Sequence, residues 1–163
     1  CLVGSEMCIR DSLRRGEVVS LESKNIFMHN NTMLVQGKGE KERLVPFGEE
    51  TKRYINRYSH MRNEYEKRFF QKEDGTPITD NTIKMYFQDL KESTGIIRLH
   101  PHLLRHTFAT NYILYGGDVE ELRILLGHTS LQMTMKYVHL ATQQRILNQR
   151  YHCLLYTSDA ADD

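Results

Sequence analysis

A chain of 163 residues with 39% hydrophobic and 26% charged residues has the proportions of one soluble globular domain with a sizeable core. No apolar run approaches the roughly 20 residues of a membrane span, and no basic-then-apolar start marks a secretory signal. Formal net charge is only +1, so composition alone points to no polyanionic partner.

The two ends read as foreign. The segment "MCIRDS" (Met7 to Ser12) can be encoded by DNA whose reverse complement, shifted in frame and extended by two bases, translates as "CLLYTS", which stands at Cys153 to Ser158. Residues 1–12 ("CLVGSEMCIRDS") and 153–163 ("CLLYTSDAADD") resemble translated sequencing-library adapters and are set aside from fold reasoning. All three cysteines (Cys1, Cys8 and Cys153) fall in these ends, so the remainder offers no disulfide and no thiolate metal ligand. Without Arg10 and the acids Glu6, Asp11, Asp159, Asp162 and Asp163, residues 13–152 hold 21 basic and 16 acidic residues, a net +5. That excess permits nucleic-acid binding.

From Leu13 the chain places Leu13, Glu17, Val18 and Leu21 at helical spacing. Residues 25–47 read as three short strands, with a tight hairpin at Asn30-Asn31 and a second turn at "GKGEK". Pro46 suits an edge strand. Glu49 to Phe70 reads as a polar, tyrosine-bearing helix, followed by the loop "KEDGTPIT". Thr79 or Asp80 is expected to cap a helix through Lys91, with Ile83, Phe87 and Leu90 on one stripe and Gly95 as terminator. Pro101 opens another helix, closed by Gly116-Gly117. "DVEE" is read as a capping box for a helix ending at Gly127, and "TSLQ" as one for the last main helix. The segment "ATQQRILNQRYH" is expected to form a separate short amphipathic helix, and "CLLYTSDAADD" to be disordered.

In "LHPHLLRHTFATNYILYGG", His102 and Arg105 share a helix face, and His106 lies four residues from His102. That spacing raises a metal site. Zinc usually needs three protein ligands, and a hydrolytic site adds a base such as the glutamate of H-E-x-x-H. Here the intervening residues are Leu103, Leu104 and Arg105, and the arginine would repel a divalent cation. No metal and no cofactor are expected. His100, His106 and His139 are taken as structural or as supporting neighbours of the site residues.

The histidine-arginine pair belongs to a longer ordered set. Upstream stand Arg14 in "LRRGE" and Lys38 in "GKGEKER"; downstream stand His128 in "LLGHTS" and Tyr137, nine residues after it. Together they resemble the catalytic domain of the tyrosine recombinase, or phage-integrase, family over nearly all of residues 13–152. The one departure is Ser12, where the family pattern has glycine before Leu-Arg.

The resemblance implies a mainly α fold with a small three-stranded antiparallel β-sheet (α+β), and a chain that cuts and rejoins double-stranded DNA through a covalent 3′-phosphotyrosine. Tyr137 is then the nucleophile; the phenol pKa of about 10 makes it both a usable attacking group and a reversible leaving group. Arg14 and Arg105 clamp the non-bridging oxygens with planar forks. His102 and His128 donate hydrogen bonds or carry the tyrosine proton. Lys38 protonates the departing 5′-oxygen. Lys41 and Arg43 on the basic hairpin, and Lys84 and Lys91 on the helix from Thr79, are expected to meet backbone phosphates. A synaptic homo-tetramer on DNA, a cytoplasmic prokaryotic setting and no membrane partner follow for the full-length parent; the bare fragment is expected to be inactive. A type IB topoisomerase-like enzyme and a non-catalytic DNA-binding fragment stand as alternatives.

Overall fold

The computed structural model describes residues 12–37 and 42–156, the last eight of these as backbone only. In chain order the elements are helix α1 (Arg15–Ser20), a 3-10 turn (Ser23–Asn25), strands β1 (Ile26–Phe27), β2 (Thr32–Gln36) and β3 (Glu42–Pro46), then helices α2 (Glu49–Ser59), α3 (Asp80–Thr94), α4 (Pro101–Leu114), α5 (Val119–Leu126) and α6 (Gln132–Tyr156). The strands form an antiparallel sheet in the order β1-β2-β3. The chain is therefore mainly helical with one small sheet, as expected.

The described residues gather into two compact units. The first comprises the chain up to residue 108 together with 125–127; the second holds 109–124 and the chain from 128 onward.

In the first unit, alternation sets which strand side chains turn inward. Met33 pairs with Val45 and Val35 with Arg43, so these four share one face. Met33, Val35 and Val45 are buried and join Leu13, Val18, Leu21, Ile83 and Phe87 in one core. Asn31 takes φ 54° to turn the chain between β1 and β2, the conformation asparagine tolerates. Pro46 ends β3 opposite Thr32, on the strand that lies at the sheet edge. Thr79 Oγ1 accepts from the Thr82 amide at 3.2 Å to cap α3, and Gly95 at φ 70° terminates it. That left-handed stop suits a residue without Cβ. Ile83 and Phe87 form the inward stripe of α3, and α3 runs one turn past Lys91 to Thr94.

Four expectations need correction. The helix from Glu49 stops at Ser59, not Phe70. Past it the Gln71 side chain accepts from the Asn63 amide and donates to the Asn63 carbonyl, both at 2.9 Å, taking over bonds a continued helix would make. Phe69 and Phe70 then turn inward against Tyr58, with ring centroids 5.3 and 5.9 Å away. The last helix is also one element: α6 runs unbroken for 25 residues through the segment expected to form a separate helix. It includes Cys153–Tyr156, where disorder was expected, because extending an existing helix costs less than nucleating one. Residues 157–163 lie outside the described residues. Finally, Asp118 does cap α5, accepting from the Glu120 and Glu121 amides at 2.8 and 3.0 Å, but the Glu121 carboxylate accepts from the Tyr112 hydroxyl at 2.7 Å.

Candidate active site

Arg14 stands at the start of α1, where its backbone amide donates to Glu17 Oε2 at 2.7 Å. Its guanidinium donates from Nη1 to Glu17 Oε1 at 2.9 Å and from Nη2 to the Gly127 carbonyl at 2.7 Å. These bonds fix the fork while 34% of the side chain remains exposed.

Arg105 sits one turn into α4 and is only 5% exposed. It donates to the Ser12 carbonyl through Nη1 and to the Leu126 carbonyl through Nη2, the latter at 2.5 Å. A third arginine completes the row: Arg43 Nε donates to the Leu125 carbonyl at 2.9 Å. Three guanidiniums thus satisfy three successive carbonyls at the C-terminus of α5. These are groups a helix cannot pair internally, at the negative end of its dipole. Gly127 takes φ 60° there, and a Cβ on it would lie 3.1 Å from Arg43 Nη1 and 3.2 Å from Arg14 Nη1. The glycine of "LGH" is favoured by its backbone angle, and a Cβ there would press on the two arginines beside it.

The structure corrects the assignment of Arg43 to the DNA surface. Its side chain is 9% exposed and forks onto Glu17, with Nη1 to Oε1 at 2.6 Å and Nη2 to Oε2 at 2.9 Å. The physical reason is register: Arg43 lies on the same inward face as Val35 and Val45. Glu17 was legible as a helical-stripe residue and as the glutamate three residues after Arg14 in the family pattern, but its partnership with Arg43 was missed. The available signal was a charged residue between Leu13 and Val18 on an apolar face, which needs a partner. Burial alone would push the Glu17 carboxyl up; the hydrogen bonds and charge of Arg43, then those from Arg14, overcome it and hold it below the usual carboxylate range.

His102 lies exposed on the first turn of α4. His100 caps that helix, its Nδ1 accepting from the Leu103 amide at 3.1 Å. Lys84 and Lys91 are exposed on α3, as a phosphate contact requires. Lys38 and Lys41 lie outside the described residues.

In the second unit, His128 Nδ1 is 2.9 Å from Thr134 Oγ1, and the His128 carbonyl accepts from Arg123 Nη1 at 2.9 Å. Thr134 itself is fully buried. The His128 imidazole stacks on the Tyr137 ring with centroids 6.3 Å apart and planes 13° apart. Lys136 Nζ stands 4.9 Å from the centre of the same ring. Tyr137 is 1% exposed. Further along α6, Arg145 Nη2 donates to the Ile113 and Leu114 carbonyls at 2.6 and 2.8 Å, closing the end of α4. Among the described residues no group of three or more His, Cys, Asp or Glu is placed to hold a metal ion, and no helix is long and apolar enough to cross a membrane.

Comparison with known proteins gives the family of the chain and its fold. The model of the phage integrase family matches residues 4–144. The tyrosine recombinase XerC of Staphylococcus haemolyticus is 34% identical over 144 residues, covering 85% of this chain and 48% of that protein. The chain thus spans about half the length of the curated relatives it matches. The crystal structure of XerA recombinase superposes with a TM-score of 0.80 at 27% identity, covering 91% of this chain and 58% of that one. XerH site-specific recombinase, in a post-cleavage complex with a palindromic difH substrate, gives a TM-score of 0.73 at 22% identity, covering 87% of this chain and 42% of that one. With a matched segment of that extent and the two arginines held on neighbouring carbonyls, this chain belongs to the phage integrase family.

Proposed function

We propose that the chain is the catalytic portion of a tyrosine site-specific recombinase that cuts and rejoins double-stranded DNA. The observation that carries this is the placement of Arg14 and Arg105. Distant in sequence, they hold the adjacent carbonyls of Gly127 and Leu126, so two planar cations stand side by side. A phosphate is the ligand such a pair suits.

In the proposed reaction the Tyr137 hydroxyl oxygen attacks the scissile phosphorus and the bond to the 5′-oxygen breaks. The tyrosine proton passes to a base, a role for which the imidazole of His128 or His102 is proposed. The departing 5′-oxygen takes a proton from Lys38. The phosphorus stays bonded to the tyrosine at the 3′ end, and an incoming 5′-hydroxyl reverses the step. Arg14 and Arg105 offset the charge that builds on the non-bridging oxygens, where loss of one such donor costs roughly 100- to 1,000-fold. Every cation the step needs is a side chain.

Lys84 and Lys91 are proposed to contact backbone phosphates, with Lys41 beside Lys38 on the hairpin. Assembly as a homo-tetramer on DNA and a cytoplasmic, DNA-associated setting belong to the same proposal. The catalytic domain is taken as residues 13–152, with adapter-derived ends. Support comes from Ser12, where the family has glycine: it adopts φ 92° and buries a hydroxyl with no hydrogen-bond partner among the described residues. The isolated chain is proposed to be inactive, and in any active form Tyr137, at 1% exposure, has to be uncovered before DNA reaches it.

The test is covalent capture. The full-length protein carrying this domain and labelled duplex are incubated, denatured and resolved, and the trapped DNA is examined for a blocked 3′ end and a free 5′-hydroxyl. That adduct together with exchanged strands supports the proposal; supercoil relaxation without exchanged strands favours a type IB topoisomerase, and binding without any adduct favours a non-catalytic module.

A further inference from the structure

We infer that Arg43 is a positioning residue for catalysis, holding Glu17 so that the charge of Arg14 remains available to the scissile phosphate. The inference rests on the recombinase proposal above and adds a residue that its chemistry does not name.

Glu17 stands between two arginines, and the two contacts differ. Arg43 presents its fork to both carboxylate oxygens, at 2.6 and 2.9 Å. Arg14 reaches only Oε1 with its guanidinium, at 2.9 Å, and gives Oε2 its backbone amide at 2.7 Å. Arg43 is therefore the bidentate partner and Arg14 the lateral one. Exposure follows the same division, with the Arg43 side chain at 9% and that of Arg14 at 34%. One carboxylate faces two guanidiniums, so the cluster keeps a net positive charge, and the bidentate, buried Arg43 leaves that excess on the side of the more open Arg14.

Removing Arg43 would leave a 4%-exposed carboxylate with a single cationic partner. The carboxylate would then draw Arg14 onto itself, because a buried charge without compensation is costly. Arg14 would pivot off the Gly127 carbonyl, and its charge would be spent on Glu17. A phosphate would meet a neutral pair where it had met a cation. Arg43 also ties β3 to Leu125, two residues before the carbonyl that orients Arg14, so a single side chain sets both contacts of the Arg14 fork.

A single-turnover assay on the full-length protein carrying this domain tests the inference. The probe is a nicked duplex recovered from a randomised pool by covalent capture on the wild-type protein. It is made in two forms, with an ordinary scissile phosphate and with a methylphosphonate there, which removes the charge Arg14 faces. Arg43→Gln is expected to bind the duplex within about twofold of wild type and to form adduct about 100-fold more slowly on the ordinary phosphate. On the methylphosphonate the difference from wild type should largely disappear. Equal slowing on both substrates would indicate a merely structural role and overturn the inference, as would a wild-type rate on the ordinary phosphate. Should Arg43→Gln fail to fold by circular dichroism, Arg43→Lys keeps the charge but not the fork. It is expected to show the same selective loss at smaller size, and a rate equal to wild type would again overturn the inference. A wild-type protein that captures no duplex would sink the recombinase proposal itself, and this inference with it.

Discussion

The rings of His128 and Tyr137 lie nearly parallel, 13° apart with centroids 6.3 Å from each other, while Thr134 Oγ1 holds His128 Nδ1 at 2.9 Å. The imidazole is thus oriented from both sides. His128→Ala is expected to lower the single-turnover cleavage rate by about 100-fold or more, the usual contribution of a positioned acid-base group. Thr134→Val should fold and give a smaller loss, since it removes the orienting bond but keeps the imidazole. Equal rates for wild type and His128→Ala would remove His128 from the chemistry.

Ser12 provides a stability prediction. A side chain at φ 92° is strained, and the buried hydroxyl adds a desolvated group without a partner among the described residues. Ser12→Gly is expected to stabilise the domain by about 1 kcal/mol, the left-handed penalty less the entropy cost of glycine. Urea denaturation measures it. A lower midpoint for the glycine variant would contradict both the strain and the reading of Ser12 as a replacement for a natural glycine.

The Glu17 cluster predicts acid sensitivity. Because the folded carboxyl is held below the ordinary value of 4.5, its contribution is complete above that value and is lost as pH falls through the lower, folded one. Arg43→Gln removes the larger part of what holds it down, so the Glu17 carboxyl should titrate higher, as read by carbon-13 NMR. An unchanged titration would show that Arg14 alone suffices.

At the alkaline end Tyr112 has the opposite sign. Its hydrogen bond to Glu121, then its partial burial and the charges of Glu121 and Asp118, push its phenol up to about 12. The neutral form is favoured in the fold, so this stabilisation is complete below the ordinary value of 10 and disappears as pH rises toward about 12. Tyr112→Phe should flatten that part of the thermal-stability profile. Identical alkaline profiles for the two proteins would count against the Tyr112–Glu121 contact.

Local rules carried much of the fold. The cap at Thr79 and the stop at Gly95 were legible because each is decided by a residue and its immediate neighbours. The same holds for the turn at Asn31. The end of α2 was not, since Ser59 marks no break of its own; the chain turns because Phe69 and Phe70 pack on Tyr58 and Gln71 clasps Asn63. The candidate site divides in the same way. Arg14, Arg105, His128 and Tyr137 were proposed through the resemblance of an ordered set of motifs to a family pattern, whereas the partnership of Arg43 and Glu17 joins a strand to a helix distant in sequence. Part of it was still readable, because Val45 faces inward and a strand repeats every second residue, which places Arg43 inward too.

The central claim is that Tyr137 forms the covalent bond to DNA, and one comparison tests it most directly. Wild-type protein and Tyr137→Phe, each full-length, are mixed with the same nicked suicide duplex, and binding and denaturation-resistant adduct are measured side by side. The variant loses one hydroxyl and keeps the ring that stacks on His128, so it is expected to bind the duplex as wild type does and to form no adduct. Adduct at the wild-type level from Tyr137→Phe would show that another residue is the nucleophile.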